Sequence, residues 1–86
     1  MFRLWGKIMK SGHLVKDLTV TSTADTRTHR VMAALADICY QWNLAVPVWL
    51  EVNIREFSRG KKTRFTRDSF VETIDFDYLE IQILEE

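Results

Sequence analysis

The segment from Thr26 to Trp42 sets the tightest limit on how this chain can fold. Val31, Leu35, Ile38 and Trp42 recur at spacings of four, three and four, which puts them on one side of an α-helix. Ala34 and Cys39 widen that apolar stripe, while Arg27, Arg30, Asp37 and Gln41 fall mostly opposite. Asp25 or Thr26 can accept hydrogen bonds from first-turn N–H groups that have no partner inside the helix. Asn43 suits the left-handed conformation that often ends a helix. A helix with one apolar side must lay that side on another layer of structure.

Strands supply the layer. Phe2, Leu4 and Ile8 alternate with Arg3, Trp5 and Lys7, the period of a strand with one buried face. Lys10-Ser11-Gly12-His13 is turn chemistry, and Leu14, Lys16, Leu18 and Val20 resume the alternation to Thr21. A β-hairpin is expected, linked to the helix by Ser22–Asp25. After the helix, Leu44–Leu50 is apolar but broken by Pro47, which cannot donate to a sheet ladder and so predicts an extended connection or edge. Val48, Leu50, Val52 and Ile54 fit a strand; Leu50, Ile54 and Phe57 fit one or two helical turns. The helical pattern alone reaches Phe57, so a short helical turn is expected, followed by an exposed turn over Ser58–Thr63. Thr66 and Asp68 mark a second helix start with Phe70, Val71 and Ile74 facing inward. Leu79, Ile81 and Ile83 alternate in a returning C-terminal strand that should pair with one hairpin strand.

These pieces predict one α+β domain spanning residues 1–86: a β-hairpin, one long amphipathic helix, an irregular middle with short helical turns, and a third strand. One helix can shield only one face of a three-stranded sheet. Trp5, Val15, Phe76 and Tyr78 are expected to point away from it, and an uncovered apolar face usually marks a contact surface. Trp5, Phe76 and Tyr78 are therefore the candidate interface aromatics, whereas Trp42 and Trp49 are expected in the core.

Composition bears on partners. Twelve basic and twelve acidic side chains cancel, so the whole molecule has no net attraction to nucleic acid or anionic membrane, and copies repel one another little. The charges are nevertheless segregated. Arg55, Arg59, Lys61, Lys62, Arg64 and Arg67 are opposed only by Glu56, whereas Asp68 to Glu86 carries acidic residues alone. The basic segment is a candidate contact for phosphate, with Phe57 and Phe65 as stacking surfaces, or for an acidic partner. The plainer alternative is that it packs near the acidic C-terminal segment; a third is that it meets that segment on another copy.

Catalytic and metal chemistry find little support. Cys39, His13 and His29 share no ligand spacing, and Asp25 with His29 makes two ligands at most. Asp75 and Asp77 would share a strand face, where paired carboxylates are usually solvated. Cys39 lies beside the apolar stripe with no basic neighbour, the serines lack a nucleophile-elbow context, and the three glycines are isolated. No cofactor is expected. The single cysteine excludes an intrachain disulfide. Arg3, Lys7 and Lys10 interrupt the apolar N-terminus, and the uncharged run from Ile38 to Leu50 is too short to span a bilayer. A cytoplasmic, non-membrane protein is expected.

Asp25-Thr-Arg-Thr-His29 and Ile74-Asp-Phe-Asp-Tyr-Leu-Glu-Ile81 resemble segments of a small family of bacterial proteins of similar length without an assigned function. The resemblance covers most of the chain, carries over no active site, and implies a freestanding bacterial protein. The favoured expectation is a non-enzymatic protein–protein interaction module that self-associates as a dimer; the alternative is a nucleic-acid-binding accessory protein using residues 55–67.

Overall fold

The computed structural model describes residues 1–86. Strands β1 (Phe2–Lys10) and β2 (His13–Ser22) form the expected hairpin, closed by Ser11 and Gly12, both at positive φ. The helix α1 spans Arg27–Gln41, and Thr26 caps it by accepting from the His29 N–H at 3.1 Å. Asn43 takes the left-handed conformation just beyond it. The Pro47 segment lies outside any strand, as expected, and its Val48 N–H donates to the Ser69 carbonyl at 2.7 Å. The helical pattern around Leu50–Phe57 is realised as a full helix, α2 (Glu51–Gly60), ended by Lys61 at φ 59°.

The sheet departs from expectation. It has four antiparallel strands, in the order β2-β1-β4-β3, where β3 is Lys62–Phe65 and β4 is Tyr78–Glu85. The returning strand β4 pairs with β1, and β3 adds to its other side. The predicted exposed turn at Ser58–Thr63 is therefore the end of α2 and the start of a strand. Thr63 and Phe65 of β3 are buried while Lys62 and Arg64 are exposed, so the alternation is present but confined to four residues. The predicted helix after Thr66 is a single 3-10 turn, Arg67–Ser69, without a side-chain cap. Val71 does not face inward; it is 91% exposed.

Both helices lie on one face. Phe2, Leu4 and Ile8 of β1, Val20 of β2 and Leu79, Ile81 and Ile83 of β4 meet Val31, Ala34, Leu35, Ile38 and Cys39 of α1 in one core. At Gly6 the backbone approaches α1 so closely that a Cβ would stand 3.0 Å from Ile38 Cδ1. Phe57, Phe65 and Trp49 continue the core below α2, with Trp49 edge-on to both phenyl rings. No helix is long and apolar enough to cross a membrane.

Candidate interaction surfaces

Three surfaces bear on function: the sheet face away from the helices, the basic segment, and the two sheet edges. The first was expected to be apolar. Trp5 and Tyr78 do point there, but Phe76 and Val15 do not. Phe76 packs edge-on against Phe70, with ring centroids 5.8 Å apart, and shares a groove with Ile8, Trp42 and Val15 on the helix side of the sheet. A bulge explains Val15: the register shifts between Ile8 and Met9, so Lys16 pairs with Ile8 and Leu14 with Met9. Leu14 and Lys16 consequently face opposite sides, contrary to simple alternation.

The open face is a charged lattice. Glu80 is only 6% exposed at its centre, with Lys7 Nζ at 2.7 Å and Arg64 Nε at 2.9 Å. Burial opposes ionisation of Glu80, but hydrogen bonds from Lys7 and Arg64 outweigh it and hold the carboxyl below its ordinary range. The same contact raises the Arg64 guanidinium further. Lys7 lies 4.2 Å from the Trp5 ring centroid and Arg64 4.6 Å from that of Tyr78. Trp5 Nε1 donates to Asp17 at 2.8 Å. Cross-strand partners run Arg64, Glu80, Lys7, Asp17, so charge alternates strand by strand across all four strands. The aromatic rings here are seats for cations, not an apolar patch.

The basic residues are divided among elements. Arg55 and Arg59 lie on α2, Lys61 caps it, Lys62 and Arg64 sit on β3, and Arg67 opens the 3-10 turn. Arg64 pairs with Glu80, Lys61 with Glu86 at 3.0 Å, and Arg55 with Glu51 at 3.3 Å. Hydrogen bonds from Arg27 and Lys61 hold the Glu86 carboxyl below its ordinary range. Two members of the basic segment thus meet the acidic C-terminal segment of their own chain. Arg59 and Lys62 rim a polar groove of about 430 Å³ that also includes Glu56, Thr63, Arg64 and Glu80. Phe57 and Phe65 are buried and offer no stacking surface there.

The edges of the sheet differ. On β3 the N–H of Ile83 bonds the Lys61 carbonyl, so Thr63 and Phe65 turn their backbone toward β4 and Arg64 turns outward. The outward groups of Arg64 are occupied: Asn53 Nδ2 donates to its carbonyl at 2.9 Å, and its N–H lies 3.5 Å from Glu56 Oε1. Asn53 is 1% exposed. It also donates to Thr63 Oγ1 and accepts from the Leu50 N–H, each at 2.9 Å, tying the start of α2 to the edge of β3. The local signal for Asn53 is its place at the third helical position, where a side chain that reaches back to the preceding N–H is half of a capping box.

On β2 the Lys10–His13 pair closes a two-residue turn and is hydrogen-bonded. Even-numbered residues of β1 therefore face β2, while Met9 accepts from Asp77 on the β4 side at 2.9 Å. It follows that Lys16, Leu18, Val20 and Ser22 turn their backbone inward, and that Asp17, Thr19 and Thr21 turn theirs outward, where no protein group meets them.

Other chemistry is thin. Burial pushes the Cys39 thiol up to about 11, far from a reactive thiolate. Asp25 accepts from His29 Nδ1 at 2.6 Å on the surface, and that contact holds the Asp25 carboxyl below its ordinary range. Asp77 accepts from the Ser11 N–H at 2.8 Å and braces the hairpin tip. No group of three His, Cys, Asp or Glu side chains is arranged to hold a metal ion. Between α1 and α2, Val31, Met32, Trp49, Ile54 and Phe57 line an open groove of about 300 Å³. Comparison with protein-family models, curated proteins and solved structures finds no match to this chain.

Proposed function

We propose that this chain is a non-enzymatic protein–protein interaction module that self-associates through its sheet. The observation that carries the reading is the β2 edge: a ten-residue strand whose outward backbone groups at Asp17, Thr19 and Thr21 have no partner within the fold. Unpaired edges of that length are templates for strand addition, and folds that avoid association shorten or cover them. Zero net charge removes the repulsion that would keep copies apart. The open sheet face, where contact was first expected, supports the reading less, because its charges are mutually neutralised. Sedimentation equilibrium over a dilution series tests the proposal: a concentration-dependent dimer is expected, and a strict monomer up to about 100 μM, where associations weaker than about −5.5 kcal/mol become invisible, ends it.

A second reading, binding of nucleic acid, draws on one feature. Arg59, Lys62 and Arg67 make no ion pair, and two of them flank the polar groove beside β3. It requires affinity that falls steeply with salt. Absence of binding to single- and double-stranded nucleic acid at about 50 mM salt removes it.

A further inference from the structure

From the geometry of the bare edge we infer that its occupant is β2 of a second copy, paired antiparallel about a two-fold axis through Thr19 to give a continuous eight-stranded sheet. The inference rests on the self-association proposed above and specifies its register.

Three features select that register. The first is the bulge. It interrupts β2 at Val15, leaving Lys16–Ser22 as the regular stretch, and Thr19 is its midpoint. An axis at Thr19 is the one that uses the whole stretch in both copies. The second is backbone polarity. Asp17, Thr19 and Thr21 face outward, so this axis sets Asp17 against the partner's Thr21 and Thr19 against the partner's Thr19. Each such pair exchanges two N–H···O bonds, about six in all. The third is side-chain fit. On the helix side, Leu18 meets the partner's Val20, twice by symmetry, which continues the core across the seam. An axis at Leu18 would instead set Lys16 against the partner's Val20, and an axis at Asp17 would put two carboxylates face to face.

Charge agrees. The alternating row across the open face ends at β2 with Asp17. In the Thr19 register the next positions are Thr21 of the partner subunit, which is neutral, and then Arg3 of the partner subunit, which within its own chain pairs with Glu85 at 3.9 Å. Beyond Arg3 stands Glu85. The order of signs resumes beyond one neutral threonine, and no like charges meet at the seam. A flat, unprotected edge would pair promiscuously; the bulge and the single negative charge at Asp17 restrict this one to a defined partner.

The axis position makes an unusual demand, because residue 19 must face itself. Sedimentation equilibrium of the whole chain therefore compares the unaltered protein with Thr19→Pro, Thr19→Lys, Thr19→Asp and an equimolar mixture of the last two. Thr19→Pro deletes an outward N–H and no bond of the monomer. It should weaken the dimer about 10–100-fold through the two lost bonds. Thr19→Asp should weaken it by up to about fivefold at low salt, through like charges at the axis and beside Asp17, and Thr19→Lys by less, because Asp17 of each copy offsets part of the repulsion. Mixing the two should restore or exceed the original affinity, since opposite charges then meet. Tyr40→Lys, on the outer side of α1 where Tyr40 is 85% exposed, should change nothing.

If Thr19→Pro fails to fold, the charge variants and their mixture decide alone. A dimer indifferent to all Thr19 variants, or one broken by Tyr40→Lys, overturns the Thr19 seam while self-association stands. A monomeric unaltered protein overturns both.

Discussion

The two outer strands of this sheet have the same task, since each ends a ladder and each exposes backbone groups, yet they meet it in opposite ways. The β3 edge is four residues long, and α2 bends its own side chains onto it: Asn53 takes the Arg64 carbonyl and Glu56 approaches the Arg64 N–H. The β2 edge is ten residues long and has only charge and a bulge for protection. An edge closed with a buried asparagine is closed permanently, because that side chain cannot leave without stranding its own polar atoms. An edge guarded only by Asp17 and the bulge at Val15 keeps its outward backbone groups accessible, as the proposed self-association requires. The difference is that one end of the sheet is closed by its own chain and the other leaves the outward backbone of Asp17, Thr19 and Thr21 without a partner in the fold.

The sharpest way to break the comparison is to remove the closed edge. Asn53→Ala deletes the donors to Thr63 Oγ1 and the Arg64 carbonyl and the acceptor of the Leu50 N–H, all part-buried or buried. It should destabilise the fold by about 2–4 kcal/mol, read as a lower urea midpoint at unchanged slope. In native-state hydrogen exchange, β3 should lose protection more than β1. A loss below about 0.5 kcal/mol, typical of a plain surface change, would show that the edge is not held by this side chain.

The next largest effect lies midway between the edges. Glu80 is charged, nearly buried and held by Lys7 and Arg64. Because its folded carboxyl titrates below the ordinary range, it contributes stability that is complete above its unfolded value, near 4.5, and is lost as pH falls through the folded one. Glu80→Gln should cost about 2 kcal/mol at neutral pH, since it leaves half-buried Lys7 without its counter-charge. It should also flatten the stability profile below pH ~4.5, relative to the unaltered protein. Equal acid sensitivity in the two would place the titrating group elsewhere.

How much of this was legible beforehand follows from element length. The helix α1, β1 and β4 each repeat their period several times, so pattern identifies them, while Gly12 marks the hairpin turn and Thr26 the helix cap by residue type. The strand β3 repeats its period only twice, within Lys-Thr-Arg-Phe, and the basic residues around it read as a solvated turn. The 3-10 turn after Thr66 carries an N-terminal helix signature that nothing later sustains. Val15 and Phe76 depart from the expected face for different reasons: a bulge is a property of two strands together, invisible in one, and Phe76 lies in an irregular segment where no period applies. The charged residues of the open face were visible as charges. That Lys7, Arg64, Glu80 and Asp17 stand in one row depends on strand order, which the sequence does not contain.

The smallest predicted effect sharpens the comparison from the bare side. Trp5 Nε1 donates to Asp17, the one side-chain hydrogen bond that ties the β2 edge back to β1. Trp5→Phe keeps an aromatic seat for Lys7 while removing that donor. The exposed bond should contribute only about 0.5–1 kcal/mol to folding. The inward-facing amides of Leu18 and Val20 should nevertheless exchange faster, because β2 frays more readily without it. The Asp17 carboxylate, freed of the indole, would hold the outer row less firmly, so the same variant should weaken self-association modestly while leaving β3 unaffected. If exchange quickens equally at both edges, the bond supports the sheet as a whole and the contrast between its edges is not maintained by Trp5.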